Sequence, residues 1–140
     1  MNPDGGAVLG IDPGTRKCGY AVLTAVGATP LDLGIVPTER LAESLRALLA
    51  CYPIAEVALG GGTHTAIVGG VVEALGVPVS IVDERETTLL ARARYFQANP
   101  PRGWRRLIPR GMLLPPRPID DYAALLIAER LLQGRLERPS

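Results

Sequence analysis

Val8-Leu9-Gly10-Ile11-Asp12-Pro13-Gly14-Thr15-Arg16-Lys17-Cys18-Gly19-Tyr20-Ala21-Val22-Leu23 is the stretch from which the fold can be read. Two short apolar runs flank a turn containing Pro13, Gly14 and Gly19, the pattern of a strand, a tight reversal and a second strand. Asp12 closes the first run. A carboxylate ending an apolar strand is costly to bury unless a hydrogen bond, a cation or a metal lies beside it. Asp12 therefore reads either as a cap bonding the turn's own backbone, as Asp before Pro-Gly does, or as a metal ligand.

Outward from that hairpin, the first strand covers Ala7 to Asp12, the second Gly19 to Thr24 and the third Leu31 to Pro37, with Gly27 to Pro30 as the turn between the last two. Short loops make these three an antiparallel meander. Between Arg40 and Tyr52 the apolar spacing turns helical through Leu41, Leu45, Leu48 and Leu49, with Thr38 as the expected N-cap and Pro53 as the stop. A fourth strand, Glu56 to Leu59, runs into the loop Gly60-Gly61-Gly62-Thr63-His64-Thr65. A helix from Ala66 to Leu75 then ends at Gly76. The fifth strand, Val79 to Val82, is nearly all apolar and is expected to be buried on both faces. Helices are expected over Thr87 to Asn99, with Leu89, Leu90, Ala93 and Phe96 on one face, and over Ile119 to Leu132, with Ala124, Ile127, Ala128 and Leu131 buried. Alternating strands and helices imply right-handed parallel crossovers. The expected fold class is α/β: a mixed five-stranded sheet, three strands antiparallel and then two parallel, flanked by helices.

A length of 140 residues suits one domain spanning 1–140, with residues 1–6 as a flexible tail and 100–118, rich in Arg and Pro, as a mobile loop. The 47% apolar and 21% charged content is that of a soluble globular chain. No apolar run has the length of a membrane span and no basic-then-apolar leader opens the chain, so no membrane association and a cytoplasmic location are expected. Cys18 and Cys51 stand in no metal-binding spacing and read as free thiols.

The net charge of +1 conceals an asymmetry. From Thr87 to Ile119 there are seven arginines (Arg92, Arg94, Arg102, Arg105, Arg106, Arg110, Arg117) and no acid. Guanidinium groups suit phosphate oxygens and base faces, and Trp104 lies among them, so a polyanionic partner, nucleic acid, is expected; the plain alternative is a solvated loop.

Acidic residues at three element ends could be brought together by this topology: Asp12 after the first strand, Asp83 and Glu84 after the fifth, and Asp120 and Asp121 at the start of the last helix. Ligands gather at strand C-termini in open α/β sheets. Converging carboxylates repel unless a cation offsets them, and hard oxygen donors favour Mg²⁺ or Mn²⁺. Each acid also has a plainer role: Asp120 as a helix cap, Glu84 as a surface partner of Arg85 or Arg16. His64, the one histidine, reads as a loop residue or as a group touching substrate. Gly60-Gly61-Gly62-Thr63 lacks the Gly-Lys-Ser/Thr of a Walker A loop.

Gly10-Ile11-Asp12-Pro13-Gly14-Thr15, Val82-Asp83-Glu84-Arg85-Glu86-Thr87-Thr88 and Asp120-Asp121-Tyr122-Ala123-Ala124 together resemble the YqgF (RuvX) family of ribonuclease-H-like nucleases, which is assigned to Holliday junction resolution and linked to pre-16S ribosomal RNA maturation. The first segment alone is also similar to RuvC resolvases, but the Asp-Glu-Arg-x-Thr-Thr segment favours YqgF. The resemblance implies Asp12, Glu84 and Asp120 as catalytic metal ligands, with Asp121 as the alternative third. It also implies Thr15, Arg85, Thr87 and Thr88 as supports of the site or substrate contacts. Arg16, Arg102, Arg105, Arg106 and Arg110 complete the expected substrate-binding set. Two departures from the family pattern bear on substrate preference: the Gly-Gly-Gly-Thr-His-Thr loop, and a longer Pro- and Arg-rich run before the last acid.

The expected function is a metal-dependent endonuclease acting on branched DNA or on structured or single-stranded RNA, and a junction resolvase would be a homodimer. Two alternatives belong to other classes. One is a catalytically weak nucleic-acid-binding module of the same fold. The other is an ATP-binding domain of the actin and sugar-kinase type, disfavoured because a second nucleotide-binding half is missing.

Overall fold

A parallel pair and an antiparallel pair share one central strand. The computed structural model describes residues 6–62, 65–83, 87–108, 115 and 118–137. The strands are β1 (Ala7–Asp12), β2 (Lys17–Leu23), β3 (Asp32–Pro37), β4 (Ile54–Gly61) and β5 (Val79–Asp83); the helices are α1 (Leu41–Cys51), α2 (Thr65–Glu73), α3 (Thr87–Ala98) and α4 (Asp120–Glu137). The sheet order is β3-β2-β1-β4-β5. β1 pairs antiparallel with β2 and parallel with β4, β3 lies antiparallel to β2, and β5 lies parallel to β4. This is the mixed sheet the sequence predicts.

Side-chain alternation sorts the core into two layers. Val8, Ala21, Leu23 and Ala58 face α3 and α4, where Ala91, Tyr95, Ala124, Ile127 and Ala128 meet them. Leu9, Ile11, Val22, Val57 and Leu59 face α1 and α2 and pack on Leu41, Leu45, Val68 and Val72. Gly10 lets α4 approach: a Cβ there would lie 2.1 Å from the carbonyl oxygen of Ala124 and 2.9 Å from the Ala128 methyl group.

Several expectations need correction. β5 is the sheet edge, and Ile81 is 60% exposed, so burial on both faces does not occur; an apolar run does not distinguish an edge from a centre. Among the described side chains of α3 the buried ones are Ala91, Tyr95 and the expected Phe96, while Leu90 and Ala93 are exposed and the Leu89 side chain lies outside the described residues; the Tyr95 ring stacks edge-on against both Phe96 and Tyr122. Thr38 caps no helix. It opens a 3₁₀ turn (Thr38–Arg40), and its hydroxyl donates to the Gly14 carbonyl at 2.9 Å. Gly60 and Gly61 belong to β4 and pair with Val82 and Asp83 rather than forming a loop. Of the Arg- and Pro-rich stretch, residues 109–114 and 116–117 lie outside the described residues, and the described part includes a 3₁₀ turn, Gly103–Leu107. Gly6, expected in the tail, sits against Ala55, where a Cβ would lie 2.2 Å from the alanine methyl. Both cysteines are free, Cys18 buried and Cys51 exposed. Among the described residues no helix is long and apolar enough to cross a membrane.

Two polar clusters lock the layers, and each yields a prediction. Glu129 of α4, 9% exposed, accepts from Arg94 of α3 and from the Gly27 backbone N–H at 3.1 Å. Gly27 presents that N–H from a left-handed conformation, φ +79°. Arg94→Met strands a mostly buried carboxylate and is expected to cost about 2–3 kcal/mol in urea unfolding, more than Glu129→Gln, which leaves no buried charge. Equal losses would show that the ion pair is not what Glu129 needs.

On the opposite face Asp32 accepts from the Tyr20 and Tyr52 hydroxyls, each at 3.2 Å, and from the Leu33 N–H at 2.8 Å. Burial, and then the Asp32 charge, raise the Tyr20 pKa above the ordinary 10.0. A phenol with a raised folded-state pKa stabilises the fold fully below pH 10.0 and loses that contribution as pH rises through the folded value. The alkaline fall in stability should therefore be shallower in Tyr20→Phe than in wild type; identical alkaline limbs would refute the coupling.

Candidate active site

The site begins with a pairing and a missing side chain. Asp12, the last residue of β1, lies opposite Gly19 of β2 in the antiparallel ladder. Directly opposed residues there have α-carbons about 4.5–5.5 Å apart. Gly19 in turn carries the start of α4: a Cβ on it would fall 1.9 Å from the Asp120 carbonyl oxygen and 2.7 Å from the Asp121 nitrogen. Only a residue without a side chain allows that approach. Hence Asp12 and the first turn of α4, distant in sequence, share one end of the sheet. Asp12 also shares its face with Gly10 and Val8, the face covered by α4.

Asp120 and Asp121 occupy different environments. The Asp120 Oδ2 atom is shut off from solvent, has no hydrogen-bond partner among the described residues, and lies 3.6 Å from Lys17 Nζ. Asp121 is 5% exposed, and its Oδ1 accepts from the Tyr122 N–H at 3.0 Å. Both acids sit at a helix N-terminus, where negative charge is favoured. A sealed oxygen without a donor, flanked by an ammonium, shows that the pocket at Asp120 favours positive charge. An aspartate ending β1 and another opening α4 with such an oxygen are donors of the type that suits a hard divalent cation.

Lys17 is a site residue the sequence reading missed. It precedes Gly19 by two positions on β2, so strand alternation puts it on the same face; that parity was the available signal.

β5 completes the frame. Ile11 pairs with Leu59 and Gly60 with Val82, so β5 ends level with Asp12, two strand spacings or about 10 Å across the sheet. Arg130 of α4 donates to the carbonyl of Asp83, the last residue of β5, and holds that end under the helix. Glu84 and Arg85, which follow directly, lie outside the described residues, as do His64, Arg110 and Arg117. Thr87 and Thr88 open α3, and only their backbone is described. Among the described residues no three His, Cys, Asp or Glu side chains form a metal-holding group; the backbone, through Gly19, places Asp12 and Asp120 at the same end of the sheet.

Thr15 and Arg16 are exposed in the β1–β2 turn. That turn is rigid: the Thr38 hydroxyl holds the Gly14 carbonyl, and the Thr38 N–H donates to Arg16 O at 2.9 Å. A Cβ on Gly14 would lie 2.3 Å from Lys17 O, which explains the glycine. Arg102, Arg105 and Arg106 belong to the 3₁₀ turn and its flank, beyond α3. The end of α3 is joined to the start of α4, since the Tyr95 and Tyr122 rings meet at 5.6 Å and Asn99 Nδ2 lies 3.5 Å from the Tyr122 hydroxyl.

No family model matches the chain. It is 30% identical to a protein of Pelotomaculum thermopropionicum named "Putative pre-16S rRNA nuclease", over 94% of this chain and 90% of that one. It is 26% identical to a protein of the same name from Heliobacterium modesticaldum, over 91% and 89%. Among solved structures, RuvC of Thermus thermophilus in complex with Holliday junction substrate superposes with a TM-score of 0.63 at 22% identity, covering 94% of this chain and 96% of that one. A second Thermus thermophilus RuvC structure gives 0.59 at 18% identity, covering 93% and 96%. The structural likeness shows the ribonuclease-H-like fold of RuvC. The near-full-length relationship to the Pelotomaculum protein shows more: the chain belongs to the YqgF family.

Proposed function

We propose that this chain is a nuclease that hydrolyses phosphodiester bonds with Mg²⁺ or Mn²⁺ held by Asp12, Glu84 and Asp120, with Asp121 as the alternative to Asp120. The observation that supports the reading is the approach of the Asp120 backbone to Gly19, the residue opposite the strand-end Asp12, together with an Asp120 Oδ2 that is shut off from solvent and has no hydrogen-bond partner among the described residues. The names of the relatives, pre-16S rRNA nuclease and RuvC, support nucleic acid as the substrate. A divalent cation bound there would neutralise the carboxylates and raise the acidity of a water poised to attack phosphorus. The chain's own contribution is to fix the donors. β1 and α4 set their separation, Lys17 lowers the repulsion between the acids, and the Thr38-pinned turn presents Thr15 and Arg16 at the rim.

Arg102, Arg105, Arg106 and Arg110 hold the sugar-phosphate backbone in this reading, with Arg85, Thr87 and Thr88 near the end of β5. Charge reversal at Arg105 and Arg106 together should weaken binding at least about ten-fold at low salt and flatten the dependence of affinity on salt by about one unit of slope per arginine. Fluorescence anisotropy across a salt series measures both. An unchanged slope would remove these arginines from the interface.

The broader test is a cleavage panel: a four-way junction, single-stranded DNA and a precursor ribosomal RNA, each with Mg²⁺ and with Mn²⁺. Cleavage that stops on addition of EDTA is expected on at least one substrate, and the one cut fastest defines the class. Tight binding in EDTA with no cleavage of any substrate in Mn²⁺ would identify a binding module instead.

A further inference from the structure

Trp104 is the only tryptophan in the chain, and it is 73% exposed. Leu107, three residues later in the same 3₁₀ turn, is 85% exposed. Residues three apart eclipse in a 3₁₀ helix, so the indole and the leucine form one apolar edge. The turn beneath them is ordered by its own bonds: Arg106 Nε donates to Gly103 O at 3.3 Å and the Ile108 N–H to Arg105 O at 3.2 Å. Gly103, at φ +62°, provides the left-handed start of the turn. Arg102, Arg105 and Arg106 flank Trp104 and Leu107 along the chain, in a segment that contains no acid. An open cleft of about 250 Å³ is lined by Tyr95, Phe96, Asn99 and Pro101 and by the neighbours of this turn, Arg102 and Arg105. The cleft adjoins Tyr122, two residues past Asp120.

We propose that Trp104 is a stacking platform for an unpaired nucleobase, with the flanking arginines on the adjoining phosphates, so that the chain selects single-stranded or branched nucleic acid over continuous duplex. The proposal rests on the nucleic-acid reading above and adds the feature recognised. An exposed indole costs the protein apolar hydration unless a flat face covers it, and the surrounding guanidinium groups specify a polyanion as the bearer of that face. In a continuous duplex both faces of every internal base are already stacked, so an indole finds a partner only in a single strand, at an end or at a branch point. A protein partner or a second copy of the chain could cover the apolar edge but would not require the arginine collar.

The only tryptophan is also the reporter. The full-length protein in EDTA is titrated with a thymidine oligonucleotide, a relaxed, covalently closed circular duplex without ends and a four-way junction, following tryptophan emission and, separately, anisotropy of labelled nucleic acid. Emission should be quenched by the single strand and the junction and stay nearly unchanged with the duplex. Trp104→Ala should weaken single-strand binding about 5- to 150-fold, leave duplex binding within about two-fold, and be largely rescued by Trp104→Phe. Binding by anisotropy with no change in emission, or equal losses on single strand and duplex, would overturn the proposal while leaving the nuclease reading intact. Failure to bind any of the three would overturn both. A wild-type emission change that follows protein concentration without nucleic acid, together with dimers in sedimentation that are lost in Trp104→Ala, would assign the edge to self-association and also overturn it.

Discussion

Asp12→Asn is expected to lower metal-dependent cleavage by about 100-fold or more while the protein melts at or slightly above the wild-type temperature. The substitution keeps the shape of the side chain and removes one charge. Asp12 lies opposite Gly19, against whose α-carbon the Asp120 backbone rests, so both acids belong to one end of the sheet, and a neutral Asn of the same size lowers the negative charge gathered there. Loss of activity together with retained or increased stability marks a group held for chemistry at the expense of the fold. Nucleic-acid binding in EDTA should be unchanged or tighter, because the variant presents one negative charge fewer to phosphate. Cleavage assays, thermal melts and anisotropy on the same preparation check the three parts. Cleavage within a few-fold of wild type would exclude Asp12 from the chemistry.

Gly19→Ala is the second large effect, and it acts without touching any charged group. The added methyl would meet the Asp120 carbonyl oxygen at 1.9 Å and its carbon at 2.2 Å, and both are backbone atoms that cannot rotate away. The first turn of α4 must therefore move, at a cost of about 2–3 kcal/mol and about 10 °C in melting temperature. A shift near 1 Å of a positioned group is enough to reduce catalysis about 100-fold, so cleavage should fall well beyond what the lost stability explains at a temperature where the variant is still folded. Gly70→Ala is the control. Gly70 lies in α2 with nothing within 4 Å of its added Cβ, and the change should be neutral or stabilising by up to about 1 kcal/mol. Wild-type cleavage by folded Gly19→Ala would mean that the seat of Asp120 on β2 does not matter to the site.

The sequence makes some of this plain and hides the rest for identifiable reasons. The β1–β2 hairpin and the placement of Asp12 at a strand end follow from two apolar runs broken by Pro13 and Gly14, and the change to parallel pairing at β4 from the helix that precedes it, all of them local signals. Gly10 and Gly19 look like turn-formers or weak strand residues until α4 is seen to lie on them; what they accommodate is another element's backbone, which no local pattern encodes. The adjacent acids Asp120 and Asp121 separate only in three dimensions, one against Lys17 and the other bonded to Tyr122 N–H. Counting leucines misjudged the buried face of α3 because Tyr95 fills the space between α3 and α4 through a ring contact with Tyr122. β5 was misjudged because Val79, Ile81 and Val82 are equally apolar in a central strand and at an edge.

Binding of Mn²⁺ to the full-length protein, followed by calorimetry in the absence of nucleic acid, bears most directly on the site itself. The wild type should take up the ion, and Asp12→Asn, Glu84→Gln and Asp120→Asn should each weaken uptake about ten-fold or more with the fold intact by circular dichroism. A wild type that binds no Mn²⁺, or three folded variants that bind it as tightly as the parent, would contradict the account.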